Sequence, residues 1–407
     1  MNFSHRQEWQ KATSLIPGGN SQLSKHPERF GVLGWPVYYH KAKGCHIWDS
    51  EGKKYTDMSL MGVGTCTLGY GCRPVDEAVV KAVGLGTMST LNCHEEVELA
   101  ELLCDLHPWA QMARFARTGG EANAIAIRTA RAATGRDDVA ICGYHGWHDW
   151  YLAANLKNSN NLNNHLFNGL EIKGVPHALT DTVHTFKFNC IESLEWIVNS
   201  HKLAAIKMEV HRSEAPNLEF LQQVRKLASK HNIVLIFDEC TSGFRETYGG
   251  IHLKYGINPD MAVFGKALGN GYPITAIIGT RTIMEASTDS FISSTFWTER
   301  IGPVAALATL KEMKGLRSWE LITNNGNYLR KGLSNLSELK TFKYKGTGTA
   351  GIQINQWYDS DSKCEDVSLT EKMINRGYLS TPLQYISAHH SPKMLDDYLS
   401  QLDDCIE

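Results

Sequence analysis

The chain has 407 residues, of which 42% are hydrophobic and 21% charged, a composition that is typical of folded globular domains and excludes disordered, collagen-like and coiled-coil chains. Its 41 Lys and Arg residues nearly balance its 43 Asp and Glu residues, so no overall charge favours binding to nucleic acid or to an anionic membrane. The first nine residues are polar and no apolar run reaches the roughly eighteen residues of a membrane span, so we expect a cytoplasmic protein that binds neither membrane nor nucleic acid.

Short apolar runs alternate with amphipathic segments through the middle of the chain. Residues 122–133 and 218–230 have a helical period, and the runs that resemble buried strands are 113–116, 139–142, 203–210, 233–237, 261–264 and 274–278. Continuous apolar strands are typical of a parallel sheet that is covered on both faces. The pattern therefore predicts an α/β body. Beyond Gly302, helical stretches at 303–313 and 393–406 predict a smaller C-terminal domain.

Ligands of open α/β sheets bind beyond the carboxyl ends of the strands, so the residues that follow the apolar runs are the candidates for a site. Thr118-Gly119-Gly120-Glu121 follows one such run and begins a helix. Glycine lets the backbone approach a ligand closely, and the free N–H groups of a helix N-terminus suit a phosphate. A strand-to-helix turn requires glycine in any case, so both interpretations stay open for this segment.

An aspartate and a lysine follow two further runs. Asp238 ends the most apolar run, where a carboxylate either caps the next segment or faces a ligand. Lys266 follows the run 261–264 among glycines, and a lysine held in this way is a candidate amine nucleophile that forms a Schiff base with a carbonyl group. A P-loop is excluded because Asp260 stands in place of its first glycine and Ala267 in place of its Ser or Thr.

A segment rich in aromatic residues and histidine, Tyr144-His145-Gly146-Trp147-His148, follows the run 139–142. These rings either stack on a flat ligand or pack in the core, which is the commoner role of aromatic side chains. His145 and His148 are spaced like two metal ligands, but no third and fourth ligand follow at a suitable spacing, so we expect no metal site. We favour a stacking surface for a planar ring.

A phosphate-binding turn, a ring-stacking segment, a strand-end Asp and a strand-end Lys are together what pyridoxal 5′-phosphate (PLP) requires. The chain resembles the class III aminotransferases in Asp238-Glu239-Cys240-Thr241-Ser242-Gly243-Phe244-Arg245, Tyr248-Gly249-Gly250, Asn258-Pro259-Asp260 and Gly265-Lys266. Within that family it is most similar to the glutamate-1-semialdehyde 2,1-aminomutases. This resemblance covers nearly the whole chain, from Pro17-Gly18-Gly19 to Ala388-His389-His390-Ser391.

The resemblance implies a fold-type I PLP-dependent enzyme. Its large domain, expected at 76–300, would contain a mostly parallel seven-stranded sheet, and a smaller α+β domain would combine the segments 1–75 and 301–407. The resemblance also implies a homodimer with shared active sites. The cofactor would alternate between PLP and pyridoxamine 5′-phosphate while the enzyme acts on a small-molecule amino donor and a carbonyl acceptor.

The resemblance further implies roles for single residues. Lys266 would bind the cofactor as a Schiff base and then move a proton, and Asp238 would keep the pyridine nitrogen protonated. The backbone N–H groups of Gly119 and Gly120 would bind the phosphate. The other implied cofactor contacts are Tyr144 stacked on the ring, His145 beside it, Glu209 close to it, and Thr295 on the phosphate held by the partner subunit.

The substrate side departs from the aminomutases. Ser24 stands where they have the arginine that receives the substrate carboxylate, and Lys25 is an alternative source of positive charge. Phe296-Trp297-Thr298-Glu299-Arg300 replaces their usual Ser-Gly-Asn-Pro. Candidate substrate contacts are Ser21, Trp297, Glu299 and Arg300, each with a structural alternative as a helix cap or an interface residue.

We therefore predict an aminotransferase that acts on a carbonyl substrate other than glutamate semialdehyde, such as a keto-sugar or another polar carbonyl compound. A true aminomutase is the alternative within the same chemistry, and the missing arginine argues against it. A non-catalytic PLP-binding relative is disfavoured because Lys266 and Asp238 are both present. A dinucleotide oxidoreductase is disfavoured because no Gly-x-Gly-x-x-Gly follows a strand.

Overall fold

The computed structural model describes residues 3–163, 165, 169–340, 342–359 and 364–406. Its strands are β1 (Tyr39–Lys43), β2 (His46–Asp49), β3 (Lys54–Met58), β4 (Met112–Ala116), β5 (Asp138–Cys142), β6 (Val183–Thr185), β7 (Leu203–Glu209), β8 (Val234–Asp238), β9 (Met261–Phe264), β10 (Thr275–Gly279), β11 (Lys343–Gly348), β12 (Ile352–Tyr358), β13 (Tyr378–Ser380) and β14 (Leu383–Tyr385). Its α-helices are α1 (Phe3–Leu15), α2 (Met61–Gly64), α3 (Arg73–Gly84), α4 (Glu95–Leu106), α5 (Gly119–Thr134), α6 (Asp149–Leu152), α7 (Ile191–Ser200), α8 (Leu218–Lys230), α9 (Arg281–Met284), α10 (Ile301–Leu316), α11 (Ser318–Leu339), α12 (Asp366–Asn375) and α13 (Pro392–Asp403).

A seven-stranded sheet forms the centre of the larger unit, with the strand order β4-β10-β9-β8-β7-β5-β6. The pairs from β9 through β8, β7 and β5 to β6 are parallel, and β10 runs antiparallel to both of its neighbours. This confirms the predicted mostly parallel sheet. Six of its strands correspond to the predicted apolar runs. The seventh, β6, was not predicted because it has only three residues and His184 interrupts its apolar character.

Both faces of the central strands β7, β8, β9 and β10 are buried, which explains their continuous apolar runs. Successive side chains of a strand point to opposite faces, so Ile236 of β8 packs in a cluster with α5 residues such as Ile125, while Leu235 packs on the other face with Val224 of α8. Helices therefore cover both faces of the central strands, and most polar side chains lie at the strand ends, with Lys207 in the middle of β7 as an exception.

The chain divides into two compact units, 1–76 with 313–407, and 77–312. The first contains the sheets β1-β2-β3-β13 and β11-β12-β14, and the parallel pairing of β3 with β13 joins its N-terminal and C-terminal segments. Its core packs Met58 of β3 with Leu329 of α11, Trp357 of β12 and Leu395 of α13. This confirms a smaller α+β unit that is built from both ends of the chain. The boundary between the larger unit and the C-terminal segment of the smaller unit lies at 312/313, inside α10. From the sequence, this boundary is expected at 300/301, just before α10.

Among the described helices, none combines the length and the apolar composition that crossing a membrane requires.

Candidate active site

The carboxyl edge of the seven-stranded sheet brings four of the predicted cofactor-binding residues together. Glu209 and Asp238 are the last residues of β7 and β8 and are paired in the sheet register. Tyr144 and His145 follow β5, whose last residue pairs with Met208 of β7. Parallel strands end at the same edge, so their positions follow from the topology alone.

The carboxylate of Asp238 is buried, and both of its oxygens have partners. Its Oδ2 lies 2.8 Å from Nδ1 of His145 and 3.7 Å from Nζ of Lys207, and its Oδ1 accepts a hydrogen bond from the backbone N–H of Cys240 at 3.1 Å. Burial acts to raise the pKa of Asp238, but Lys207 and His145 outweigh it and hold that pKa well below the usual range. Asp238 is therefore an anion at neutral pH.

His145 is itself fully buried, and its ring is held by the hydrogen bond to Asp238. Burial lowers the pKa of His145, although Asp238 opposes this shift. Its Nε2 is buried and has no hydrogen-bond partner among the described residues. The neutral imidazole is consequently fixed by one nitrogen, and its other nitrogen is left without a protein partner.

Lys207 was not predicted as a site residue, although the sequence contains the signal. It lies in the middle of β7, between Ile206 and Met208, where every residue of the strand is buried. Its Nζ has no hydrogen-bond partner within 3.5 Å among the described residues, and the carboxylate of Asp238 is its ion-pair partner. A lysine in the middle of an apolar run indicates a charge inside a buried strand. A buried positive charge requires an anion nearby, and Asp238 is that anion.

Lys266 begins the short 3₁₀ turn that follows β9, and its backbone is in the left-handed region with φ of 43°. Residues other than glycine rarely adopt this conformation, which costs on the order of 1–3 kcal/mol and is common at functional sites. Its Nζ donates a hydrogen bond to Oγ1 of Thr241 at 2.6 Å. Thr241 was also missed, since a threonine just beyond a strand end carries no distinctive signal.

The N-terminus of α5 lies beside the ends of β8 and β9. Thr118 caps the helix, and it forms a reciprocal capping box with Glu121. A Cβ atom added at Gly119 would lie 3.5 Å from Sγ of Cys240, and one added at Gly265 would lie 3.4 Å from the same sulfur. Gly119 therefore lies in space beside Cys240 and Gly265, which are two residues after Asp238 and one residue before Lys266. The first N–H groups of a helix have no partner within it, so they are available to an anion.

Gly120 leaves no room for a side chain. A Cβ atom there would lie 2.8 Å from the ring of His148, and the segment that follows β5 also approaches closely at Gly146. Tyr144 is half-buried and lies edge-on to Tyr151, with 5.9 Å between the ring centroids. The backbone N–H of Tyr144 donates to Oε2 of Glu209 at 3.0 Å, and the guanidinium of Arg212 pairs with the same carboxylate at 3.1 Å. Arg212 is a further residue that the sequence reasoning missed.

Thr295 was predicted to contact the cofactor, and Trp297, Glu299 and Arg300 were predicted to contact the substrate. All four lie in the larger unit, and each has different surroundings. Thr295 begins a 3₁₀ turn and is exposed. Trp297 packs against the core beside α5. Both carboxylate oxygens of Glu299 accept hydrogen bonds from the first N–H groups of α10, and the guanidinium of Arg300 binds Glu95 at 2.6 Å. The contacts of Glu299 correspond to the helix-cap alternative that the sequence left open, whereas the ion pair of Arg300 with Glu95 lies within the unit.

Ser21 belongs to the other unit. It lies exposed in the bend after α1, one residue beyond Asn20, whose side chain accepts a hydrogen bond from the backbone of Gln22.

These residues fit PLP on chemical grounds. A primary amine that is held among small residues suits the aldehyde carbon, and a buried anion suits a protonated pyridine nitrogen. A helix N-terminus that begins with two glycines suits the phosphate. The three features lie at one sheet edge within one unit, which is what a single cofactor requires.

Comparisons with known proteins agree with this arrangement. The family described as "Aminotransferase class-III" matches residues 31–370. The chain is 33% identical over 329 residues to a 3-aminobutyryl-CoA aminotransferase of Cloacimonas acidaminovorans, which covers 78% of this chain and 75% of that protein. It is 31% identical over 424 residues to a glutamate-1-semialdehyde 2,1-aminomutase of Methanothrix thermoacetophila, covering 97% of this chain and 95% of that one.

A solved structure is also similar. The FumI protein of Sphingopyxis sp. MTA144, in its PLP internal aldimine form, aligns with a TM-score of 0.88 and 25% identity over 98% of this chain and 95% of that one. The chain therefore belongs to the class III aminotransferases, the PLP-dependent enzymes of fold type I that its sequence motifs predicted.

Proposed function

We propose that this enzyme is a transaminase, which moves an amino group from an amino donor to a separate carbonyl acceptor, and that Lys266 and Asp238 carry its chemistry. The observation behind this proposal is that one sheet edge holds a strained lysine, a buried carboxylate and a glycine-rich helix N-terminus. PLP, when bound, supplies an electron sink for the carbanion that forms next to the substrate nitrogen.

The residues of the protein would hold and move the protons of the reaction. The charge on Asp238 would keep a proton on the pyridine nitrogen, and the hydrogen bond from His145 fixes the direction of the carboxylate. Lys266 would act as the base and acid that moves a proton at the substrate carbon. Its hydrogen bond to Thr241 gives the free amine a defined resting position, which supports this role.

The remaining predicted contacts are proposed as cofactor-positioning groups. Gly119 and Gly120 would bind the phosphate through backbone N–H groups, and Tyr144 would stack on the ring. Glu209 would act through its hydrogen bond to the backbone of Tyr144, so it is a positioning residue rather than a catalytic one.

The proposed acceptor is a polar carbonyl compound, and a keto-sugar remains the more specific hypothesis. A cavity of about 460 Å³ opens beside Glu209, and neither Lys266 nor Asp238 is among the residues that line it. It is lined by polar and charged side chains that include Arg212, Lys187 and Asn161. Ser24 replaces the arginine that the aminomutases use for a substrate carboxylate, which supports a transaminase over the alternative of an aminomutase.

We also propose a homodimer in which Thr295 contacts the cofactor phosphate of the partner subunit. Exposed apolar side chains occur next to Thr295 in sequence and on the segment 88–91: Phe296 is 68% exposed, and Met88 and Leu91 are 40% and 81% exposed. The backbone N–H of Arg300 donates to the carbonyl of Thr87, so these segments form one surface. Exposed apolar patches of this kind are typical of protein interfaces. We expect the dimer in light scattering, and a Thr295→Ala variant to bind PLP more weakly.

The test of the proposed function is a spectral titration of the purified holoenzyme. Glutamate, alanine and 4,5-diaminovalerate are added in turn, and a panel of carbonyl compounds that includes keto-sugars follows. Loss of the visible band of the lysine-bound cofactor with a common amino acid, and its return with a carbonyl compound, would establish transamination. A response to diaminovalerate alone would establish the aminomutase, and no response to any amine would favour a non-catalytic protein.

The attachment site is tested separately, because the structure contains two lysines near Asp238. Reduction with borohydride followed by peptide mapping is expected to find the cofactor on Lys266 and not on Lys207. A Lys266→Ala variant is expected to carry no reducible cofactor, and a Lys254→Ala variant serves as the exposed control. Cofactor fixed to the chain of the Lys266→Ala variant would show that the assignment is wrong.

A further inference from the structure

Two histidines and one aspartate meet within the larger unit, away from the proposed active site. Asp138 is the first residue of β5, His184 is the middle residue of β6, and His201 directly follows α7. In the register of β5 and β6, His184 pairs with Ala140. Side chains alternate along a strand, so Asp138, two residues before Ala140, points to the same face as His184.

The distances in this cluster fit a metal centre. Oδ2 of Asp138 lies 3.5 Å from Nε2 of His184 and 3.3 Å from Nδ1 of His201. One potential ligand atom from each residue lies within 4.8 Å of the other two. Two ligands of a tetrahedral ion with bonds of about 2.0–2.1 Å are about 3.4 Å apart, and both carboxylate–imidazole distances match that spacing. The rings of His184 and His201 lie against each other with 3.7 Å between their centroids, so one ring must turn about its side chain for both to bind the same ion.

A hydrogen-bonded triad without a metal is the alternative, and the same chain provides a reference for it. Nδ1 of His145 lies 2.8 Å from the carboxylate of Asp238, which is the usual length of a strong carboxylate–imidazole hydrogen bond. The two distances at Asp138 are longer by half an ångström or more, and the shorter one, to Nδ1 of His201, is a weak hydrogen bond at 3.3 Å. Moreover, Nε2 of His184 is buried and has no hydrogen-bond partner among the described residues.

There is also space for a further ligand. His184 and His201 line a cavity of about 430 Å³ together with Lys157, Asp181 and Trp196. The side chains of Asp138 and His201 are 26% and 27% exposed, so the cluster is open on one side. Water, or the carboxylate of Asp181 after release from Lys157, can therefore complete the coordination.

We propose that Asp138, His184 and His201 bind a divalent transition-metal ion of the zinc, cobalt or nickel type. Two imidazole ligands favour these ions over Mg²⁺ and Ca²⁺, which prefer oxygen. Asp138 lies at the amino end of β5, and the proposed active site lies beyond its carboxyl end, about 13 Å further along the strand. The ion would thus join β5, β6 and the segment between α7 and β7 without taking part in amino transfer.

The test uses untagged holoenzyme that has been treated with EDTA and then titrated with Co²⁺. We expect one equivalent of Co²⁺ to produce visible d–d bands at wavelengths beyond the cofactor absorption, and Zn²⁺ to displace them. We expect Zn²⁺ to raise the thermal midpoint in a concentration-dependent way. Transaminase activity should be the same before and after EDTA, because the ion is remote from Lys266.

Three variants identify the ligands. His184→Ala, His201→Ala and Asp138→Asn are each expected to lose the Co²⁺ bands, whereas His177→Ala, which alters an exposed histidine, is expected to keep them. The cofactor band of each variant reports whether it is folded. Absence of Co²⁺ bands in the wild-type protein would by itself overturn the proposal. Unchanged Co²⁺ binding by folded His184→Ala protein would also overturn it.

Discussion

The ammonium of Lys207 lies 3.7 Å from the carboxylate of Asp238, and both side chains are buried inside the seven-stranded sheet. Burying two charges costs free energy that their attraction offsets only in part, so such a pair is weak evidence for a gain in stability. Burial lowers the pKa of Lys207, and Asp238 opposes that shift. The pair is better explained by function, because Lys207 helps to keep Asp238 ionised.

The first prediction separates the contribution of Asp238 to stability, through its ion pair with Lys207, from its contribution to catalysis. Asp238→Asn preserves the shape of the side chain but leaves Lys207 buried beside a neutral group, and we expect the free energy of unfolding to fall by about 3–5 kcal/mol. The double variant Asp238→Asn/Lys207→Met should recover most of that loss. Activity should stay roughly 10²–10³-fold down in both, since neither has an anion for the ring nitrogen.

Urea unfolding at one fixed cofactor concentration measures this difference. Both variants lack the same carboxylate, so the effect of weaker cofactor binding cancels between them. A double variant as unstable as Asp238→Asn would contradict the role given to Lys207.

The second prediction concerns the two glycines at the start of α5. Gly120→Ala would place a methyl group 2.8 Å from the ring of His148, whereas Gly119→Ala would meet only the sulfur of Cys240 at 3.5 Å. We expect the Kd for PLP to rise at least about tenfold more in Gly120→Ala than in Gly119→Ala, because displacement of His148 disturbs the turn that approaches the helix N-terminus. Equilibrium dialysis measures both constants, and equal values would contradict the packing argument.

The third prediction decides between structural and substrate roles for Glu299 and Arg300. Glu299→Ala removes the acceptor for the first N–H groups of α10, so we expect a loss of about 1 kcal/mol in the free energy of unfolding with little change in KM. Arg300→Ala removes the partner of Glu95 and should likewise leave KM nearly unchanged. A tenfold or larger rise in KM for the carbonyl substrate, with stability preserved, would instead make either residue a substrate contact.

Much of the fold was predictable because its signals are local. The six apolar runs are strands, five of them almost entirely buried and the sixth, β4, partly buried at the sheet edge, and the boundaries of α8 and β9 coincide with the prediction. The placement of Asp238 and Glu209 at one edge follows once the strands are parallel. By contrast, β6 is short and contains a histidine, so it is a strand only because it pairs with β5. A pairing between distant segments cannot be predicted from a local sequence pattern.

The contacts of the site were less predictable, since they join residues that are distant in sequence. Lys207 was detectable as a charge in a buried strand, but the identity of its partner depends on the alignment of β7 with β8. The expectation of no metal site rested on His145 and His148 and on ligands close in sequence. Asp138, His184 and His201 are far apart in the chain, and only the fold brings them together.

The last prediction is a pH dependence that originates at a buried histidine. His107 is fully buried, and its two ring nitrogens lie 2.8 Å from the carbonyl of Leu103 and 3.0 Å from the backbone N of Gly250, which donates to it. Burial is the main reason that the pKa of His107 is lowered to about 4. An unfolded histidine has a pKa of about 6.5, so between these values only the unfolded chain binds the proton.

Stability should therefore fall as the pH decreases from about 6.5 to about 4, and His107 alone should account for on the order of 3 kcal/mol over that range. Urea unfolding between pH 4.5 and 7 should show a shallower decrease for His107→Gln than for the wild-type protein. His40→Gln, which changes an exposed histidine, should follow the wild-type curve. His165 and His390 also have pKa values lowered to about 4, so part of the decrease should persist in His107→Gln. Parallel curves for His107→Gln and the wild-type protein would show that His107 already titrates in the folded state with an ordinary pKa.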